Sequence, residues 1–113
     1  MYTAQFVGDW PLGEREIGIL DKNVTFLKRK ISTSYGLLSE MLKHNTITQF
    51  QEEFVSAQPD DYQKNTAFLA IIRRGSLSEY MNTIDRLTET NQEHIAEILR
   101  NEKASKDFRI NGS

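Results

Sequence analysis

From Asn65 to Leu99 the chain reads as three short helices separated by two marked breaks. Phe68, Leu69, Ile71 and Ile72 are too densely apolar for a surface helix and predict a buried one. Arg73 and Arg74 close it with the charge that a helix C-terminus favours, and Gly75 is the expected left-handed stop. Ser76 and Glu79 form an S-x-x-E capping box that restarts a helix, whose buried face should carry Tyr80, Met81, Ile84 and Leu87. Thr90 and Glu93 read as a second box, opening a last helix with Ile95, Ile98 and Leu99 inward.

The preceding residues continue the helical pattern. Ile17, Leu20, Val24, Leu27 and Ile31 step by three and four, predicting one long helix from Glu14 to Ile31. Gly18, Val24 and Thr25 weaken its middle. Ser34 to His44 predicts a second helix with Tyr35, Leu38, Met41 and Leu42 inward, stopped at Asn45. Thr48 and Gln51 make a T-x-x-Q box before a short helix that should bury Phe50, Phe54 and Val55. Pro59 breaks the chain, and Asp60 or Asp61 caps the apolar helix that follows.

Composition narrows the class. A chain of 113 residues has room for one core. With 38% hydrophobic and 27% charged residues it suits a globular helical domain rather than a disordered segment. The formal charge of -2 gives no global pull toward nucleic acid or anionic lipid. The absence of cysteine removes disulfides, thiolate nucleophiles and cysteine-type zinc sites, and is compatible with a cytoplasmic protein. No apolar run approaches the roughly 20 residues of a membrane helix, and the start does not read as a signal peptide.

Taken together, certain residues resemble a known family. The helix ending Arg73-Arg74-Gly75, the next helix with Tyr80 and Leu87, and the closing His94-Ile95-Ala96-Glu97-Ile98-Leu99 resemble the back half of a caspase-recruitment domain. Leu37-Leu38, Ile47-Thr48, Phe50 and Phe54 are similar to its leucine-rich second helix, short connector and small third helix. The likeness spans roughly residues 14 to 99. It implies an all-α, six-helix antiparallel Greek-key bundle of the death-fold group, with the first helix bent or broken between Gly18 and Thr25. Residues 1–13 would be an N-terminal arm, 14–100 the domain and 101–113 a tail or linker. An Arg-x-Asp-Leu motif near the end, expected of the related death-effector branch, is missing.

Candidate chemistry is sparse. His44 should cap or face solvent, and His94 sits where the family uses a structural histidine. No phosphate-loop, dinucleotide or H-E-x-x-H motif is present, so no catalytic residue, metal or cofactor is expected. Charge is distributed more informatively. Lys28, Arg29, Lys30, Arg73 and Arg74 make the first and fourth helices basic, whereas Glu40, Glu52, Glu53 and Asp60 make the second and third acidic. The resemblance implies a basic partner-binding face (Lys28, Arg29, Arg73, Arg74) and an acidic one (Glu40, Glu52, Glu53, Asp60). These would grip another caspase-recruitment domain, in an initiator caspase or its adaptor, or further copies in a filament. The chain would be a module of such a protein or a stand-alone regulator. Reversing Arg73 and Arg74 to Glu should then abolish pairing while leaving helicity and melting temperature nearly unchanged. The alternative is a small helical DNA-binding module, since Lys28-Arg29-Lys30 is basic and bundles can contain a helix-turn-helix.

Overall fold

A computed structural model describes residues 10–100 other than Tyr35. The expectations for the arm before Trp10, for an inward Tyr35 and for the tail after Arg100 lie outside the described residues. Seven helices are present among those described: α1 (Glu14–Lys22), α2 (Val24–Lys30), α3 (Leu37–Lys43), α4 (Gln49–Ser56), α5 (Asp61–Arg73), α6 (Leu77–Glu89) and α7 (Glu93–Arg100). The fold is all-α over this span. Among the described residues the one strand-like pairing is an isolated bridge between Pro11 and Ser76. α5 packs on α1, α2 and α4; α6 packs on α3 and α7; and α1 also meets α7.

The predicted long first helix is two helices, broken at Asn23 inside the expected window. Asn23 leaves helical geometry, and its side-chain amide donates to the Ile19 carbonyl at 2.9 Å. It joins the Asn23 backbone amide on the same carbonyl, so Asn23 closes the last turn of α1, next to the β-branched Val24 and Thr25. Gly18 is not the breaking point; it lies within α1. α3 begins three residues later than Ser34 because Gly36 takes φ +95°, a left-handed conformation that glycine adopts without strain. Asn45, at φ 60°, ends this helix as expected.

Several starts follow the local chemistry read from sequence. Thr48 and Gln51 cap α4 reciprocally, as Ser76 and Glu79 cap α6, and Asp60 accepts from the Gln63 amide at 2.8 Å to start α5. Two other terminal features differ from expectation. Gly75 is not left-handed. It is small for another reason: a Cβ there would lie 2.5 Å from Glu79 Oε1, the oxygen that accepts from the Ser76 amide. The Thr90–Glu93 box does not form. Thr90 donates back to the Arg86 carbonyl at 2.8 Å, Asn91 turns the chain at φ 67°, and the Gln92 carbonyl accepts the Ile95 and Ala96 amides of α7.

Leu20, Leu27, Leu37, Met41, Val55, Phe68, Tyr80, Leu87, Ile95 and Leu99 are buried in one core. Burial of each large apolar side chain is worth about 1.5–3 kcal/mol. The expected face of α6 is corrected at Met81, which is 58% exposed, whereas Thr83 is buried. Thr83 is three residues from Tyr80 and stays on its stripe; Met81 is turned about 100° away. On α4 the correction is larger. Val55 is buried, but Phe50 is 76% exposed and Phe54 50%. Phe50 and Phe54 share a face through their spacing of four, and Val55 lies roughly 140° from Phe50, so a two-turn helix cannot bury all three.

The α2–α3 connection is held by two distant amides. Asn65 Nδ2 on α5 donates to the Lys28 and Ile31 carbonyls, both at 2.7 Å. Gln92 accepts from the Ser32 amide at 2.8 Å and donates to the Ser32 carbonyl at 2.9 Å. These bonds satisfy carbonyls that a helix end leaves open. They also fix the place of the basic cluster at the end of α2.

Candidate functional site

Packing of α2 against α5 brings Lys28 close to the start of α5. Lys28 is half-buried, with Nζ 5.7 Å from the centre of the Tyr62 ring. This is within the range of a cation–π contact. Lys28 and Arg74 line the same surface groove, together with Phe54 of α4 and Tyr62, Ala67 and Ala70 of α5. Arg29 and Lys30 line a separate polar recess beside Asp61 and Asn65. Among the described residues, Lys28, Arg29, Lys30 and Arg74 form no salt bridge.

Arg73 stands apart from its neighbour. It makes a two-pronged bond to Asp21 of α1, Nε to Oδ1 at 3.0 Å and Nη2 to Oδ2 at 2.9 Å. The hydrogen bonds hold the Asp21 carboxyl below the ordinary aspartate range and raise the Arg73 guanidinium. Both side chains are exposed, so water and salt screen the pair. Arg73 therefore serves first as a tie between α1 and α5. Its reversal would set a carboxylate against Asp21 in this exposed pair, so reversing Arg74 without Arg73 is the cleaner test of pairing.

The acidic residues are also unequal. Glu40 of α3 faces Lys43 at 3.3 Å and His44 at 3.7 Å. Glu52 accepts from the Ser56 hydroxyl and Glu53 from the Gln49 amide, both within α4. Asp60 is the N-cap of α5. Glu52 and Glu53 share a helix with Phe54, so one wall of the basic groove comes from the acidic helix α4. This juxtaposition is absent from the picture of a basic side opposed to an acidic side.

The histidines fall at exposed positions. His44 caps the C-terminus of α3, and His94 is the second residue of α7. Ligand-type atoms of Glu40, His44 and Glu89 come within 4.8 Å of one another. Lys43 already pairs with Glu40, and the buried Arg86 pairs with Glu89 at 2.9 Å, so cations supplied by the chain face this group. Tyr80 ties α6 to α7 by donating its hydroxyl to the Leu99 carbonyl at 2.6 Å. Burial, reinforced by Glu16, pushes its phenol well above the ordinary tyrosine range. Sequence reading missed the exposed ring cluster of Phe50, Phe54 and Tyr62, although a helical wheel of α4 separates Phe50 from Val55.

No family model and no curated protein matches this chain. None of the described helices is long and apolar enough to cross a membrane.

Proposed function

We propose that this chain is a non-enzymatic recruitment module of the caspase-recruitment type. On this reading α1 and α2 are the halves of a broken first helix, and the seven helical pieces make a six-helix Greek-key bundle. The module binds another such bundle, in a cytoplasmic initiator caspase or its adaptor, within apoptotic or inflammatory signalling. The observation that carries the reading is the set of cations around the α2–α5 junction. Lys28, Arg29 and Arg74 have no carboxylate partner among the described residues, whereas Arg73 has Asp21. Cations left unmatched on a folded surface suit an acidic partner face, where complementarity sets partner choice and encounter rate. Glu52 and Glu53 on α4 supply the opposite sign for a further copy or partner.

The test is a Lys28→Glu, Arg29→Glu, Arg74→Glu variant, which leaves the Arg73–Asp21 tie in place. Purified caspase-recruitment domains of initiator caspases and adaptors serve as partners in a pull-down. Capture by the native chain and loss in the variant, at equal helicity and melting temperature, is the expected result. Equal capture by both would remove the charged face from the account.

A further inference from the structure

The groove shared by Lys28 and Arg74 has a chemistry that a simple charged face lacks. Its volume is about 510 Å³, and Phe54, Tyr62, Ala67 and Ala70 give it an apolar lining. Two cations line it and, among the described residues, no carboxylate does. Its occupant therefore needs an apolar body with negative charge beside it. Next to the groove, one helical turn from Phe54, Phe50 is the most exposed large apolar side chain among those described. Glu53 lies three residues on, on the same side of α4, and is exposed. A ring with an adjacent carboxylate is the complement of the groove. Exposed rings clustered in this way mark a contact surface more often than scattered single ones do.

We propose that a second copy of this chain fills the groove, with Phe50 of each copy inserted between Phe54 and Tyr62 of the other and Glu53 meeting Lys28 and Arg74. Knob and groove lie side by side on one face, so the contact is reciprocal and closes as a two-fold dimer. The inference deepens the proposed function by naming one partner and its anchor residue. A contact built from one short helix and one groove falls at the small end of interface sizes. Its dissociation constant should be roughly tens to hundreds of micromolar.

Sedimentation equilibrium of the full chain, from roughly 10 µM to 1 mM, tests this. The native chain should pass from monomer to dimer, and added salt should shift it toward monomer. Phe50→Ser removes the anchor without changing a charge and should weaken pairing by about tenfold or more. Glu53→Arg and Arg74→Glu should each weaken it, and mixing the two variants should restore a dimer through exchanged charges. Circular dichroism checks that each variant keeps its helices. A native chain that stays monomeric, pairing that survives Phe50→Ser, or assemblies that grow beyond two copies would each overturn the proposal. Phe50→Ser also separates this inference from the broader one. Loss of self-pairing with retained capture of a different bundle leaves the charged face standing. Equal capture by the native chain and the triple reversal, or no capture by either, with self-association still dependent on Phe50 removes the recruitment reading alone.

Discussion

Replacing Asn65 by Ala isolates the contact that fixes the α2–α3 connection. The native amide donates to two carbonyls at 2.7 Å, one buried (Ile31) and one partly buried (Lys28). Leaving the Ile31 oxygen without a donor costs about 2 kcal/mol, and the Lys28 oxygen, within reach of water, about 1. Asn65 Oδ1 is itself buried with no partner among the described residues, and its removal offsets about 1 kcal/mol. The net loss is about 2 kcal/mol, a sizeable share of the roughly 5–15 kcal/mol that holds a domain together. The melting temperature should fall by roughly 10 °C. Urea denaturation followed by circular dichroism reads the change directly. Asn65→Asp should be at least as damaging at neutral pH, because an acceptor then faces the same two carbonyls. A loss below about 0.5 kcal/mol for Asn65→Ala would refute the claim that this amide holds the end of α2.

Gly75→Ala should destabilise by about 0.5–1 kcal/mol in chemical denaturation, because its Cβ displaces the Glu79 carboxylate from the Ser76 amide. The backbone here is not left-handed, so a stabilised variant, the ordinary result of trading a glycine for alanine, would contradict this reading. In an NMR titration the Asp21 carboxyl should ionise below the ordinary aspartate range, and Arg73→Ala should return it there. Its folded-state pKa is depressed, so its contribution to stability is present above the unfolded pKa and fades as pH falls through the folded one. Tyr80→Phe should cost about 1–2 kcal/mol by leaving the Leu99 carbonyl without its donor. Because the fold raises the Tyr80 pKa, its contribution is intact below the ordinary tyrosine range and declines as pH rises beyond it. Ultraviolet absorbance should show a tyrosine that ionises only when the protein unfolds.

The parts legible in the sequence are those decided within a turn or two of chain. Thr48 with Gln51, Ser76 with Glu79, Asp60 and Asn45 act on amides and dihedral angles close by, so their spacing was enough. The apolar run of α5 announced its burial through density alone. Phe50 and Phe54 misled because a short helix buries only the stripe its neighbours cover, and residue type does not choose the stripe. Thr90 has the residue type of a cap, but its hydroxyl finds the Arg86 carbonyl first. Asn65 and Gln92 were not legible, since their partners lie 34 to 60 residues away. The same holds for the candidate site. The cations at the end of α2 stand out in the chain, but Asp21, 52 residues from Arg73, separates Arg73 from Arg74 only once the helices have packed.

The central claim is that unmatched cations at the α2–α5 junction receive the acidic side of a like bundle. Isothermal titration of a purified caspase-recruitment domain tests it most directly, with the native chain and the Lys28→Glu, Arg29→Glu, Arg74→Glu variant, each at two salt concentrations. The account predicts measurable binding by the native chain, weaker binding at high salt, and a loss of about 100-fold or more in the variant. Binding of equal strength by the two proteins, indifferent to salt, would contradict it.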